Sequence, residues 1–374
     1  MFKHFEKAIF RIPLFPLNAL FNKNNETYDL DFLAKEFLEN EIFLEAVFWS
    51  SPAFYKILLD YSEGKISDEK RKRKVLNTLK KYIIRSATRP TPYGTFAGVS
   101  LPSIGTTSQD FYSKRKIRLD ISILRKIKTS IEIHPKLSSY LNFQINNSLY
   151  EVNREYRFLE VDLIVDGKCQ ITALEKTQIL KKLISFCKKV PISFETFYAN
   201  FSEDFEKQEF LYFFNELIHM RFLISEIEIG LSEMDYLISI KAFLNQKGLI
   251  NNRNARAYLN VINRIESYVK KVQNLDLGDF LLEEYQEIQM LLKNLGILID
   301  EEQLFQVDLL HKPSSLQNFS KKDLQNINES IEVVSKITDE NKKMNDLETF
   351  RKLFLEKYED QSVPILEALD VDFE

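Results

Sequence analysis

The stretch RSATRPTPYGTFAGVS, residues 85–100, concentrates turn-forming residues in a chain of 374 residues that has only nine glycines and ten prolines. Pro90 and Pro92 flank Thr91. Proline fixes its own φ and disfavours the helical conformation of the residue before it, so a helix that reaches this stretch must end there. The small and β-prone residues GTFAGVSL that follow predict a short strand. The sequence therefore predicts a helix, a rigid turn and a strand in succession over this stretch.

Two arginines mark the same stretch. Arg85 and Arg89 can project to one side of the helix end, because residues four apart are neighbours on a helix. A rigid turn that offers two guanidinium groups and the Thr91 hydroxyl suits a phosphate, a carboxylate or a developing oxyanion. An arginine that caps the last carbonyls of the helix explains the same residues equally well. The residues alone leave both interpretations open.

Outward from this turn, the pattern predicts an α+β fold with a mixed α/β N-terminal region, a winged-helix-like insertion and a helical C-terminal part. The N-terminal region is predicted to contain a strand over 8–16, helices over 29–47, from Pro52 and over 68–86, a strand over 115–120 and a helix over 121–133.

The pattern changes after residue 140. Three strands are predicted, FQINNSLYEV, YRFLEVDLIV and KCQITAL, with Asp166-Gly167 as a turn between the last two. Helices over 175–189, 193–201 and 204–221 and a strand, FLISEIEI, complete the outline of a winged helix. The remainder is predicted to hold helices over 232–296, a strand over 303–310 and helices over 321–337 and 345–358. The predicted domains are therefore 1–140, 141–230 and 231–374.

The composition and the motifs of the chain limit the classes of function that it can have. The net charge is −4, so nucleic-acid contact would have to come from a local patch. Two cysteines make no disulfide framework, and neither a signal peptide nor a membrane-spanning stretch is apparent, so we expect a cytoplasmic protein. The dinucleotide, Walker, HExxH and GxSxG motifs do not occur, and four scattered histidines suggest no metal site.

A basic run precedes the opening stretch. One predicted helix carries the cations Lys70, Arg71, Lys72, Arg73, Lys74, Lys80 and Lys81. A solvated helix face is the simpler interpretation of such a run. The alternative is a surface that contacts phosphates in an otherwise acidic protein.

The segment TRPTPYGTFAGVS, residues 88–100, resembles the signature of the class I lantibiotic (lanthipeptide) dehydratases, in their N-terminal glutamylation domain. The strand with Arg11, RLD at 118–120, QVDL at 306–309 and VPILEALD at 363–370 follow in the family's order. The resemblance implies a role in lanthipeptide antibiotic biosynthesis. Glutamate would pass from glutamyl-tRNA to Ser or Thr of a precursor peptide, and its elimination would leave a dehydroamino acid. Glutamyl-tRNA would be a co-substrate, and no bound cofactor is expected.

The resemblance also implies site residues. Its glutamylation residues correspond to Arg85, Arg89, Thr91, Arg11, Asp120 and Asp308. Arginine cannot act as a base at neutral pH, so its role would be electrostatic and positional. Asp120 or Asp308 would orient those arginines or accept a proton, and the sequence does not choose between them. The basic run would contact the tRNA.

The winged-helix-like segment would recognise the leader of the precursor peptide, as a RiPP recognition element does. The leader would add as a strand beside the sheet and rest on the third helix. The predicted lining residues are Tyr156, Phe158, Ile171, Tyr212, Phe213 and Leu217. The aromatic and apolar residues of the third helix are too many for one groove, so we expect about half of them to be core.

Length separates this chain from family members of the full type, which are much longer. We therefore expect a fragment, a truncated gene product or one part of a split system that does not complete dehydration alone. Its partners would be the precursor peptide, glutamyl-tRNA and a separate elimination domain or subunit, and a homodimer stays open. One alternative is a peptide aminoacyl-tRNA ligase that adds a different amino acid. Another is a leader-peptide binding module that is inactive on its own.

Overall fold

The computed structural model describes residues 5, 9–21, 29–101, 113–162, 168–187, 191–229, 237–299, 304–311, 321–337 and 345–370. Helices and small sheets occur in separate runs, which confirms the predicted α+β fold class. Two compact units form, one from Met1–Asp120, Asn263–Lys293 and Ile299–Thr338, the other from Ile121–Ile262, Asn294–Leu298 and Asp339–Glu374. The predicted functional segments 1–140, 141–230 and 231–374 are not tested by this division and stay a prediction.

The strands, in chain order, are β1 (Phe10–Pro13), β2 (Ala97–Ser100), β3 (Ser113–Leu119), β4 (Asn142–Ile145), β5 (Tyr150–Val152), β6 (Glu155–Asp162), β7 (Lys168–Glu175), β8 (Ile192–Ser193), β9 (Leu223–Ser225) and β10 (Phe305–His311).

The helices are α1 (Leu30–Leu38), α2 (Glu41–Ser50), α3 (Pro52–Ser62), α4 (Glu69–Thr88), α5 (Ile121–Glu132), α6 (Gln178–Cys187), α7 (Phe194–Ala199), α8 (Lys207–His219), α9 (Leu237–Leu244), α10 (Arg253–Asn274), α11 (Leu282–Asn294), α12 (Lys321–Ile337), α13 (Asn345–Tyr358) and α14 (Ile365–Leu369). Among the described residues, no helix has both the length and the apolar character needed to cross a membrane.

Capping side chains set the helix limits of the first unit. The predicted single helix over 29–47 is wrong, because Asn40 has an extended backbone and its side chain accepts a hydrogen bond from the Phe43 N–H, which starts α2. Ser51 caps α3 in the same way, with Pro52 at the first helical position. Asp68 accepts hydrogen bonds from two backbone N–H groups at the start of α4, which confirms the predicted helix start.

The first unit contains a four-stranded sheet in the order β1-β2-β10-β3. Strand β10 is parallel to β2 and antiparallel to β3, and β1 is antiparallel to β2. Along β10 the side chains of Phe305, Val307 and Leu309 are buried, whereas Gln306 and Leu310 are exposed. Along β10 one face therefore packs on the core and the other is open, as the alternation of side chains along a strand predicts.

A buried ion pair fixes β3 to its neighbours. The Arg115 guanidinium donates to the Glu45 carboxylate on α2, and both side chains are almost completely buried. The same guanidinium donates to three backbone carbonyls of the segment between α10 and α11, at Leu275, Asp276 and Asp279. Glu45 also accepts from the Gly278 N–H at 2.7 Å. This pair is fully hydrogen-bonded on its acidic side, which is the condition under which a buried pair is tolerated.

The second unit has the predicted winged-helix elements. Strands β6 and β7 form an antiparallel hairpin, and α6, α7 and α8 are the three predicted helices. The predicted Asp166-Gly167 turn lies outside the described residues. The predicted strand FQINNSLYEV is wrong as one element, since β4 pairs with β8 and β9, whereas β5 pairs with β6.

Asn146 causes that break. Its side-chain amide donates to the carbonyls of Leu159 and Arg221, and its side-chain oxygen accepts from the Ser148 N–H at 3.0 Å. A side chain that replaces the ladder partners in this way turns the backbone out of the strand. The two halves of the stretch therefore enter different sheets.

Candidate functional site

The end of α4 forms one wall of a cleft of about 500 Å³. Thr78, Tyr82 and Arg85 lie on one helix face because they are spaced by four and three residues. The helix ends at Thr88, since Arg89 precedes Pro90 and has an extended backbone, with φ −113° and ψ 113°. The residues that line the cleft are Thr78, Lys81, Tyr82, Ile84, Arg85, Arg89 and Tyr93.

Arg85 is held by the turn that follows the helix. One of its terminal nitrogens donates to the Thr91 carbonyl at 3.4 Å, and its guanidinium carbon lies 4.8 Å from the centroid of the Tyr93 ring. Within the described part of the chain, the buried Arg85 Nε has no hydrogen-bond partner.

Two hydrogen bonds anchor the turn itself. The Tyr93 hydroxyl donates to the Ser50 carbonyl at 3.2 Å, and the Ser50 hydroxyl donates to the Tyr93 carbonyl at 3.3 Å. Gly94 has φ +56°, and a Cβ at this position would lie 2.7 Å from the Ser50 hydroxyl oxygen. Glycine is therefore required both for the backbone conformation and for the close approach of Ser50.

Arg85 does not make the contacts that the capping interpretation predicts within the described part of the chain. Arg85 donates to the turn at Thr91 and not to the last carbonyls of α4. Arg89 is exposed at the cleft, and the Thr91 side chain is exposed beside it. The structure thus brings the three signature residues Arg85, Arg89 and Thr91 together at one end of α4.

The remaining predicted residues of the catalytic set lie on or beside the sheet of the first unit. The register pairs Arg11 with Val99 and Val99 with Leu310, which places Arg11 on the same open face as Asp308. The Asp308 carboxylate forms an ion pair with Arg118 at 3.2 Å. The site residues therefore form two groups, one at the cleft and one on this sheet face.

Asp120 follows β3 and is half-buried, and its backbone N–H donates to the Leu304 carbonyl at 2.8 Å. The role of Asp120 or Asp308 in orienting the cleft arginines stays a prediction.

Sequence reasoning missed Tyr93 and Arg118. Tyr93 stands inside the opening stretch, so its position beside Arg85 was available as a signal. Arg118 alternates with Lys116 and Lys114 along β3, and this alternation indicated that all three share the open face of the sheet.

The cations of the basic run on α4 differ in their exposure to solvent. Lys70, Arg71, Arg73, Lys74 and Lys81 are exposed. Lys72 forms an ion pair with Glu69 at 2.7 Å, and Lys80 is half-buried. The contact of this run with tRNA stays a prediction.

Three of the predicted leader-lining residues belong to the core instead. Phe158 is 0% exposed and packs edge-to-face on Phe222, and Tyr156 and Leu217 are also buried. Side chains that the protein already covers cannot line an accessible groove, which corrects this part of the prediction.

The other three remain available for a peptide. Ile171 on β7 and Phe213 on α8 are half-buried, and Tyr212 is 70% exposed. Alternation along β6 did not reveal the burial of Tyr156 and Phe158, because it cannot tell which face of a sheet packs on the core.

These features describe an α+β protein with two guanidinium groups at one cleft. The sequence model of the family described as "Lantibiotic dehydratase, N terminus" matches residues 39–373. The chain belongs to this family, which confirms the resemblance carried by residues 88–100. Arg11 precedes the matched range.

Similarity to individual proteins supports the same family assignment. The chain is 25% identical over 346 residues to the nisin biosynthesis protein NisB of Lactococcus lactis subsp. lactis, covering 90% of this chain and 33% of NisB. It is 26% identical over 279 residues to the epidermin biosynthesis protein EpiB of Staphylococcus epidermidis, covering 70% of this chain and 26% of EpiB.

Among solved structures, the fold is similar to the tRNA-dependent lantibiotic dehydratase MibB from Microbispora sp. 107891, with a TM-score of 0.72 and 18% identity over 98% of this chain and 34% of MibB. The chain therefore spans between a quarter and a third of the length of these relatives.

Proposed function

We propose that this chain provides the glutamyl-transfer part of a lantibiotic dehydratase. In this reaction the hydroxyl oxygen of a Ser or Thr of a precursor peptide attacks the ester carbonyl of glutamyl-tRNA. A new ester bond forms, the bond from the carbonyl carbon to the ribose oxygen breaks, and the hydroxyl proton passes to that ribose oxygen. The reaction needs no bound cofactor, since the ester is already activated, and it takes place where tRNA is charged, in the cytoplasm.

The cleft at the end of α4 supports this chemistry. Acyl transfer passes through a tetrahedral oxyanion, which is stabilised by donors that are fixed before the reaction begins. Arg85 is fixed by the Thr91 carbonyl and the Tyr93 ring. Arg89 adds a second fork of donors at the same cleft. The position of these two arginines at one cleft is the observation that carries the proposal.

The open sheet face supplies the other groups. Arg11 is a further cation on that face, and Asp308 is a carboxylate whose position is set by its ion pair with Arg118. In the proposal, Asp308 or Asp120 accepts the hydroxyl proton or orients an arginine, and Thr91 offers a hydroxyl beside the two arginines.

The test is a glutamylation assay with the protein as its gene encodes it, together with any separately encoded dehydratase subunit. Precursor peptide, glutamate, glutamyl-tRNA synthetase, ATP and tRNA are combined, and the peptide is weighed by mass spectrometry. We expect glutamyl adducts that depend on tRNA and disappear in Arg85→Ala. Adducts of another amino acid would favour the ligase alternative, and a peptide that binds but never gains mass would favour the binding-module alternative.

A second role, recognition of the leader peptide, is favoured by the hairpin of the second unit. Strand β7 pairs with β6 and lies at the edge of the three-stranded sheet β5-β6-β7, so an extended peptide can add to it through backbone hydrogen bonds. Ile171 lies on this edge strand, whereas Tyr212 and Phe213 lie on α8.

Titration of a labelled leader peptide tests this role. We expect Tyr212→Ser to weaken binding, while Tyr140→Ser, at another exposed tyrosine of the same unit, leaves it unchanged. Equal affinities of the two variants would remove Tyr212 from the peptide site.

A further inference from the structure

The position of the Arg85 guanidinium depends on the ring of Tyr93. The guanidinium carbon lies over this ring, 4.8 Å from its centroid. The hydrogen bond to the Thr91 carbonyl is long, at 3.4 Å, and is therefore the weaker restraint. Because a cation is attracted to the face of an aromatic ring and not to its edge, the plane of the Tyr93 ring sets where Arg85 holds its donors.

Ser50 holds Tyr93 at two points. The Tyr93 hydroxyl donates to the Ser50 carbonyl at 3.2 Å, and the Ser50 hydroxyl donates to the Tyr93 carbonyl at 3.3 Å. Gly94 allows this approach, since a Cβ there would lie 2.7 Å from the Ser50 hydroxyl oxygen. The Tyr93 ring therefore cannot move away from Arg85 without breaking a hydrogen bond to Ser50.

Ser50 itself belongs to a closely packed part of the first unit. It is the last residue of α2, and residues 46–49 before it are each 1% exposed or less. The Trp49 indole N–H donates to the buried Glu45 carboxylate at 2.8 Å, one turn earlier in the same helix. A functional side chain keeps a productive geometry when the groups that support it are themselves fixed by packing. The Ser50–Tyr93 pair thus connects a core helix to the cleft.

We propose that the Ser50–Tyr93 pair positions Arg85 for the transfer step. Both are positioning residues, because they act through the Arg85 guanidinium and not on the reacting atoms. The inference rests on the proposed function, in which a cleft arginine stabilises the tetrahedral oxyanion. A donor stabilises that oxyanion best when it is fixed before the reaction begins, so a loosened Arg85 should slow the chemical step.

Two conservative substitutions each remove one hydrogen bond of the pair. Tyr93→Phe keeps the ring and removes its hydroxyl, and Ser50→Ala removes the other donor. The matched controls are Tyr140→Phe, at a tyrosine of similar exposure (43% against 45%), and Ser62→Ala, whose hydroxyl donates to the Leu59 carbonyl at the end of α3. Melting curves verify that all four variants fold.

The rate of glutamyl adduct formation is measured over a range of precursor peptide and glutamyl-tRNA concentrations, with elimination blocked and any separately encoded dehydratase subunit present. We expect Ser50→Ala and Tyr93→Phe to lower kcat by about 10-fold, a part of the roughly 100- to 1,000-fold loss that follows removal of a whole donor. KM for both substrates should change by less than about 2-fold, since the lost interaction is made in the transition state. The two controls should keep kcat and KM.

A double-mutant comparison tests whether Tyr93 acts through Arg85. In Arg85→Lys the charge remains, but the planar fork of donors is gone. Tyr93→Phe should lower the residual rate of Arg85→Lys by less than about 2-fold, because no fork is left to position. The same loss in this background as in the unmodified protein would show that Tyr93 acts independently of Arg85, and it would overturn the proposal.

Normal kcat in both Ser50→Ala and Tyr93→Phe would also overturn it, even with a lowered melting temperature, because the pair would then have a structural role alone. A raised KM at unchanged kcat would contradict it as well and would assign the pair to substrate binding. If the unmodified protein forms no glutamyl adducts, the proposed function fails and this inference fails with it. Normal variants of an active protein would remove the inference and leave the proposed function standing.

Discussion

The imidazole ring of His311 packs against the backbone of Gly98, so that a Cβ at residue 98 would overlap the ring. Gly98 belongs to the family signature on β2, and His311 ends β10, the strand that carries Asp308. The ring also contacts the Ser113 hydroxyl through Nδ1, at 2.7 Å. The signature glycine thus allows β2 and β10 to pair beside this ring, which positions the open sheet face of the candidate site.

Gly98→Ala should destabilise the protein because the added methyl group has no room beside His311. Overpacking of a well-packed core costs about 1–3 kcal/mol, measured here as the free energy of unfolding in a denaturant titration. In a His311→Ala background the same change should cost much less, because the obstructing ring is gone. The same cost in both backgrounds would show that His311 is not the obstacle.

The burial of His311 predicts a pH dependence of stability. Burial lowers the pKa of His311 from its usual value of 6.5. The unfolded chain then binds a proton more readily than the folded one, so the free energy of unfolding should rise with pH up to about 6.5 and level off above it.

Unfolding curves between about pH 5 and 8 measure this effect. His311→Gln should reduce the slope on the acidic side. Burial also lowers the pKa of His134, so His134→Gln is the necessary comparison. A slope that His134→Gln reduces and His311→Gln leaves intact would assign the dependence to His134.

Asp370, the last residue of VPILEALD, forms a buried polar cluster in the second unit. Its carboxylate accepts two hydrogen bonds from Arg157 on β6, at 2.8 and 3.0 Å, and one from the Tyr150 hydroxyl at 2.7 Å. Asp370→Asn should lower the free energy of unfolding by about 2 kcal/mol, because the largely buried Arg157 loses its charged partner Asp370 and is left with Glu155, whose side chain is more exposed.

Glu151→Gln provides the matched comparison for this cluster. Glu151 pairs with Lys176 at 2.9 Å, but its own side chain is largely exposed. Loss of such a surface pair costs no more than about 1 kcal/mol. If Asp370→Asn proves as mild as Glu151→Gln in the same titration, the cluster does not hold this segment in place.

The sequence predicted helices and strands well where the residues of the element itself determine its limits. The predicted limits of α12 and α13 match the structure to the residue, since the periodicity of apolar residues within each helix indicates its extent. Asn40 and Asn146 defeated the prediction for the opposite reason. The Asn40 side chain starts a new helix and the Asn146 side chain ends a strand, each through hydrogen bonds to the backbone, and the surrounding apolar pattern continues across both residues.

The candidate site was predictable in part. The cleft residues Arg85, Arg89 and Thr91 lie within seven residues of one another, so one local motif contains them. The ion pair between Arg118 and Asp308 joins residues 190 positions apart, and only the register of β3 with β10 brings them together. The burial of Phe158 likewise depends on Phe222, a contact that no local pattern encodes.

Arg89→Lys should severely impair glutamylation while leaving the fold intact. The charge survives the change, but the planar fork of donors does not, and a lysine cannot bind an oxyanion or a phosphate through paired hydrogen bonds. Loss of one fixed donor in an acyl-transfer site costs on the order of 100- to 1,000-fold in rate. The rate is measured as glutamyl adducts per unit time by mass spectrometry, with elimination blocked so that adducts accumulate.

The melting curve should hardly move, because Arg89 is exposed and a cation at a helix end contributes only about 0.3–1 kcal/mol, which lysine retains. Arg253→Lys, at an exposed position at the start of α10, is the matched control and should be normal in both measurements. A residue that only caps the helix would tolerate lysine in both assays as well. Near-normal adduct formation by Arg89→Lys would therefore refute its role in the transfer step and return this arginine to a structural one.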